Sequence, residues 1–249
     1  MCRMQGGPSK LSHRLHEKKI NFPSSFYLSV DRADSLFYFL KTISHLVSMP
    51  NKILVLFAHP AFHKSRINKI LIQSVQRLPD VTFHDLYEAY PELDIDSKAE
   101  QRLLLKHDIF VFHHPMYWYS TPAILKEWQD LVLEHGWAYG STGTALQGKK
   151  WMHLLTTGGR SEAYQQGAFN RFTIREFLRP LEQTAVLCKM DFIPPYIVDG
   201  THLMTEQEAM AHGEIYRRLL ESMANDRFDW SSAASLEKLN HEIDRLIQT

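Results

Sequence analysis

Three short stretches of this chain carry residue types whose chemistry converges on one kind of ligand. An apolar run stops at Ala58-His59-Pro60, and a helical pattern resumes at Ser65 with Arg66, Ile67 and Asn68 in its first turn. A helix N-terminus presents unpaired N–H groups and a partial positive charge, which suits a phosphate. Ser65 adds a hydroxyl, Asn68 lies one turn on along the same side, and His59 offers a ring N–H to a ligand oxygen. The second stretch, His114-Pro115-Met116-Tyr117-Trp118-Tyr119-Ser120, places four large side chains in consecutive positions. They cannot all enter one core, so some must line an edge where their faces could flank a planar ring. The third, Thr156-Thr157-Gly158-Gly159, follows an apolar run, and its glycines permit close backbone approach to a ligand. Backbone N–H groups of Thr157, Gly158 and Gly159 would meet the pyrimidine edge of a flavin and stabilise charge developing there on reduction.

Singly, each feature has an ordinary explanation: a loop histidine satisfied by backbone, a filled core, a tight turn. Together, in chain order, they describe phosphate, ring face and ring edge, a mononucleotide site that fits a flavin better than a nucleoside triphosphate. Gly143-Thr144-Ala145-Leu146-Gln147-Gly148-Lys149-Lys150 resembles a P-loop, but it precedes a strand, and Lys150 replaces the Ser or Thr that would hold magnesium. The chain has no G-x-S-x-G, H-E-x-x-H or C-x-x-C motif. His113 and His114 are adjacent at a strand end, where neighbouring side chains diverge, so no metal site is expected from them. Cys188 reads as a core thiol.

The elements that must position these loops alternate. Strands are expected at 53–57, from Val81, at 109–112, 151–155 and 192–198; helices from Ser65, from Asp96 or Ser97 to Lys106, after Thr121-Pro122, at 174–188, 206–223 and 235–248. Such alternation argues for an α/β fold, a flavodoxin-like, doubly wound, five-stranded parallel sheet with helices on both faces and strand order 2-1-3-4-5. Ligands of such sheets bind outside the carboxyl ends of the strands, where the three loops fall.

Composition agrees with a folded domain. Of 249 residues, 44% are hydrophobic and 12% aromatic, enough for a packed core. Lys plus Arg equals Asp plus Glu at 28 each, so whole-chain charge gives no reason to expect nucleic acid. Only Cys2 and Cys188 are present, which fits a reducing cytoplasm, and no apolar run reaches the ~18 residues of a spanning helix. Residues 1–50 differ from the rest. Residues 1–19 are basic, and Asp34 could cap a short amphipathic helix bearing Leu36, Phe37, Leu40, Ile43 and Val47. This part reads as a targeting or docking arm, or as a poorly ordered extension upstream of a true start at Met49. The division expected is an extension over 1–50, an oxidoreductase domain over 51–225 and a helical tail over 226–249.

Several motifs carry a resemblance over roughly residues 52–223. Ala58-His59-Pro60, Ser65 with Asn68, His114 to Ser120, Gly136-Trp137-Ala138-Tyr139-Gly140 and Thr156 to Gly159 resemble the DT-diaphorase type of NAD(P)H–quinone reductase. Leu86-Tyr87-Glu88-Ala89-Tyr90-Pro91, Asp94-Ile95-Asp96, Leu125-Lys126-Glu127-Trp128, Ala168-Phe169-Asn170-Arg171 and Leu178-Arg179-Pro180 are more similar to the bacterial ancillary subunits of glutathione-regulated potassium-efflux systems. The resemblance implies FMN held by His59, Ser65, Arg66, Ile67, Asn68, Pro115, Met116, Tyr117, Trp118, Tyr119, Thr156, Thr157, Gly158 and Gly159. It implies a homodimer in which Trp137 and Tyr139 lie over the partner's flavin, with Tyr164 near the hydride path. NADH or NADPH is the implied donor and a quinone or other electrophile the acceptor; a potassium–proton antiporter is the implied partner, at the cytoplasmic face of the membrane. Asn170 departs from the pattern, standing where some members have a histidine.

Overall fold

The computed structural model describes residues 49–247, so the helix expected over residues 34–47, the basic segment and the expected extension to residue 48 lie outside the described residues. β1 (Ile53–Phe57) is buried at all five positions. Ile53 and Val55 face one core cluster, and Leu54 and Leu56 the other. That is why the run is continuously apolar: both faces of the strand are covered. β2 (Val81–Asp85), β3 (Ile109–Pro115), β4 (Lys150–Thr156) and β5 (Asp191–Val198) complete a sheet of order β2-β1-β3-β4-β5 in which every pairing is parallel.

Parallel neighbours need crossover connections, and here helices supply them. In chain order the crossover helices are α1 (Arg66–Val75), α2 (Leu86–Ala89), α3 (Ser97–Leu105), α4 (Ala123–Val132), α5 (Ile174–Phe177) and α6 (Arg179–Leu187); α7 (Glu206–Ala224), α8 (Trp230–Ala233) and α9 (Ile243–Leu246) follow the last strand. α1 and α7 cover one face through Leu71, Val75, Leu219, Leu220 and Met223. α3, α4 and α6 cover the other through Leu104, Leu125, Trp128 and Ala185. Each fully buried leucine or valine among them contributes about 1.5–3 kcal/mol to the fold. The doubly wound architecture expected from the alternation is therefore the one formed.

The motifs Leu86–Pro91 and Leu125–Trp128 meet at one carboxylate. Glu100 of α3, buried, accepts hydrogen bonds from Trp128 Nε1 at 2.8 Å and the Tyr90 hydroxyl at 2.7 Å, and its Oε1 lies 2.8 Å from His84 Nε2. Burial raises its pKa, but these bonds outweigh that and hold it below the usual value. A buried charge is tolerated because it is fully hydrogen-bonded.

Leu86–Ala89 is a short helix where a loop was expected, and three of the expected elements take another form. β3 runs on to Pro115, because His113 and His114 find buried partners and need not leave the sheet. The helix expected over 174–188 is two, broken at Leu178, with Pro180 in the first turn of α6 where its missing N–H costs nothing. The helix expected over 235–248 does not form. Lys238 is extended, Asn240 is committed to the backbone of Ile197, and only short turns remain. Phe228, Leu239, Ile243 and Leu246 of this tail pack in the same core as α1 and α7.

Candidate functional site

The carboxyl ends of β1, β3, β4 and β5 open on a cavity of about 490 Å³, within the range of small-molecule sites. Of the residues expected to hold a cofactor, His59, Ser65, Arg66, Ile67, Asn68, Pro115, Met116, Tyr117, Thr156 and Gly158 line it together. Trp118, Tyr119, Thr157 and Gly159 stand outside this lining, in the same two loops.

One wall is the start of α1. Ser65 is its N-cap, with extended backbone, and its Oγ accepts from the Asn68 N–H at 3.3 Å and from Asn68 Nδ2 at 3.0 Å. Among the hydrogen bonds of the described residues none takes the N–H of Arg66 or Ile67, the orphan donors of the first turn. His59 is buried at the rim. Burial lowers its pKa, so the ring is neutral near pH 7, and its Nδ1 accepts from the Ala61 N–H at 3.2 Å. The proton therefore sits on Nε2, leaving a donor to spare.

The second loop is more strained than its sequence suggests. Tyr117 and Ser120 exchange both backbone hydrogen bonds at 3.0 Å, closing a tight turn in which Trp118 (φ 50°) and Tyr119 (φ 64°) are left-handed. That conformation costs a non-glycine residue about 1–2 kcal/mol, and strain of this kind gathers at functional sites. The turn lifts Trp118 out until it is 94% exposed. Tyr117 crosses His59 edge to face with ring centroids 6.2 Å apart, whereas Tyr119 stacks on Phe177 at 4.9 Å and donates to Asn170 Oδ1 at 3.2 Å. The Asn170 that departs from the family pattern thus anchors the aromatic turn.

In the third loop one expectation is corrected. The Thr157 N–H donates to Val198 O at 3.0 Å and is not free for a ligand, because the loop pairs with the end of β5 before it turns. No hydrogen bond of the described residues takes the N–H of Gly158 or Gly159. Thr157 Oγ1 closes the turn on Gly159 O at 2.7 Å. Tyr164 packs on this loop: a Cβ added to Gly159 would stand 3.4 Å from its ring. Burial raises the Tyr164 pKa, so its hydroxyl stays protonated at neutral pH. Trp137 and Tyr139 lie elsewhere, half-buried against the core beneath α4 in the connection leading into the amino end of β4, and neither lines the cavity.

Ala61, Lys64, Thr201 and His202 complete the lining and stand outside the expected set, the last two because they come from a fourth loop. The same rule that marks carboxyl ends of strands marks the loop after β5, and Gly200 (φ 65°) shows where it turns. Thr201 donates through both its N–H and hydroxyl to Thr157 O, at 3.1 and 3.0 Å, tying the two loops together.

Behind the site runs a buried chain of rings. Trp151 Nε1 donates to His153 Nε2 at 2.7 Å, so the His153 proton is on Nδ1, 3.0 Å from His114 Nε2. His114 must then carry its proton on Nδ1, which donates to the Pro115 carbonyl at 3.0 Å. Burial keeps both rings neutral, His114 down at about 4 and His153 well below its ordinary value. His113 turns to the opposite face, toward Asn68, so the adjacent histidines diverge as expected.

Residues 51–221 match the profile of a family described as flavodoxin-like fold. The chain is 44% identical over 177 residues to the glutathione-regulated potassium-efflux system ancillary protein KefG of Yersinia enterocolitica, covering 71% of this chain and 96% of that one. It is similar to the crystal structure of general stress protein 14 of Treponema denticola in complex with FMN, with 36% identity, a TM-score of 0.66 and coverage of 69% and 99%. A further likeness is to an NADPH-quinone reductase from P. pentosaceus, with 31% identity, a TM-score of 0.63 and coverage of 68% and 97%.

Proposed function

The chain belongs to the flavodoxin-like fold family, and from that premise we propose that it is an FMN-dependent NAD(P)H oxidoreductase that reduces quinones by two-electron transfer. The observation that carries this reading is the cavity itself, which the start of α1 lines together with Thr156 and Gly158 of one loop and Met116 and Tyr117 of another. The residues present fit the group. The first-turn N–H groups of Arg66 and Ile67, with the Ser65 and Thr156 hydroxyls, form a set of donors suited to a phosphomonoester. Met116 and Tyr117 offer a face for the ring, and the Gly158 and Gly159 N–H groups offer donors to its edge.

Bound FMN would supply a carrier that takes hydride from NADH or NADPH and passes two electrons to the acceptor. The chain's own part is to hold, orient and exclude water. α1 and His59 fix the phosphate end, the strained turn holds the ring face, and Tyr164, kept protonated, stands beside the Gly159 edge as a donor near the hydride path. Trp137 and Tyr139 would act from a second copy, in a homodimer where each protomer roofs its partner's cavity. A single stacking face serving donor and acceptor in turn gives ping-pong kinetics. The test is steady-state oxidation of NADH and NADPH against a soluble quinone: parallel double-reciprocal lines are expected, and intersecting lines would exclude the exchange.

A second reading is favoured by the likeness to the KefG protein. The chain would then be an ancillary subunit of a glutathione-regulated potassium-efflux system, docked on the cytoplasmic face of the antiporter, with or without turnover. No helix of the described residues is long and apolar enough to cross a membrane, so such docking would use protein contacts. Sedimentation with membranes that contain or lack the antiporter tests it; equal recovery in both pellets would remove the partner.

A further inference from the structure

His113 lies beneath the phosphate wall, fully buried and outside the cavity lining. Its Nε2 is 2.9 Å from Asn68 Oδ1. On the other side of that amide, Asn68 Nδ2 reaches Ser65 Oγ at 3.0 Å and Thr156 Oγ1 at 3.3 Å. Each hydroxyl is thus an acceptor toward the protein and keeps its own hydrogen to give. An amide turned the other way would do the reverse. Its oxygen would take both hydroxyl hydrogens and leave lone pairs facing the ligand, which repel an anion.

The imidazole decides between the two. Its Nδ1 has no hydrogen-bond partner, and the rings of Phe57 and Tyr216 stand edge-on around it, with centroids 5.2 and 5.6 Å away. A buried N–H without an acceptor is rarer than an unpaired lone pair, so the proton belongs on Nε2, where it donates to Asn68. Burial also holds the ring neutral, well below its ordinary pKa, so it carries one proton to place.

We propose that His113 is a positioning residue of the phosphate site: by donating to Asn68 Oδ1 it fixes the amide so that Ser65 and Thr156 present hydroxyl hydrogens to the phosphomonoester of FMN. The inference rests on the FMN reading above and deepens it, since it assigns the selection of phosphate to a residue that does not touch it.

Riboflavin separates the two ideas, because it shares the ring and lacks the phosphate. Dissociation constants of FMN and riboflavin are measured by flavin fluorescence on wild type, His113→Phe and His113→Gln. His113→Phe is expected to weaken FMN about tenfold while riboflavin changes by less than about twofold, because the freed amide lets the Ser65 and Thr156 hydroxyls turn from the charged phosphate. His113→Gln, whose amide can donate from a similar position, should restore most of the difference. Equal losses for both flavins, or no loss of FMN, would overturn the role of His113. Wild type that binds neither flavin would overturn the FMN reading instead. A direct check needs no variant: imidazole ¹⁵N shifts of the wild-type protein should place the His113 proton on Nε2, and a proton on Nδ1 would contradict the proposal.

Discussion

Asn240 clasps Ile197 as a neighbouring strand would, its Oδ1 accepting the Ile197 N–H at 2.9 Å and its Nδ2 donating to the Ile197 carbonyl at 2.7 Å. β5 is an edge strand, and this side chain covers part of the edge that would otherwise invite another chain. Asn240→Ala leaves both groups without these partners and should cost about 1–3 kcal/mol, read as a lower Tm with flavin affinity unchanged. Removing residues 226–249 also strips Leu239 and Leu246 from the core, and the truncated protein should aggregate. A truncated chain that melts like the full one would show that the tail is dispensable.

Trp118 carries backbone strain without packing in return, being left-handed and 94% exposed. Trp118→Gly should therefore stabilise the protein by about 0.5–1 kcal/mol, the relief of strain less the entropy cost of glycine. The same variant should lose turnover if the ring serves a ligand or a partner protomer. Thermal melts beside initial rates check this, and a variant with lower Tm and full activity would contradict both halves.

Much of this fold was legible because strands covered on both faces must be continuously apolar, as Ile53–Phe57 shows. The α1 wall was legible too, since Ser65 and Asn68 announce a cap by type and spacing. What could not be read was tertiary. His113 and His114 read as the end of a strand, but their buried partners, Asn68 and His153, come from other elements and have no signal in the sequence. Asn240 stops a helix only because β5 needs it. The positive φ of Trp118 has no signal in residue type, for glycine or asparagine would be expected there.

The buried histidines set a pH limit on stability. His114 and His153 stay neutral in the fold, while the unfolded chain protonates them near their ordinary value of 6.5. Unfolding then takes up protons, so stability is full above about pH 7 and falls as pH drops from 6.5 toward the folded value of about 4 for His114. Each such group costs up to about 1.4 kcal/mol per pH unit. His114→Phe should flatten the slope between pH 6.5 and 4.5; a Tm constant across that window in wild type would refute the neutral pair.

Two glycines should respond differently to alanine. A Cβ on Gly143 would stand 2.1 Å from the Tyr139 carbonyl oxygen, backbone that cannot move aside, so Gly143→Ala should cost about 3 kcal/mol and disturb the Trp137–Tyr139 segment. A Cβ on Gly158 would stand 2.2 Å from Nε2 of His202, an exposed side chain that can swing away. Gly158→Ala should leave the unfolding free energy within about 1 kcal/mol of wild type and lower flavin affinity by crowding the cavity. Equal thermal losses in the two would show that the distinction is wrong.

The central claim, that this cavity holds FMN, is tested most directly by the absorbance spectrum of purified protein incubated with excess FMN and then desalted. The account predicts a yellow protein with flavin bands near one equivalent per chain, retained by wild type and lost when Ser65→Asp places a carboxylate against the phosphate wall. A colourless wild-type protein, with correct folding shown by its melt, would contradict it.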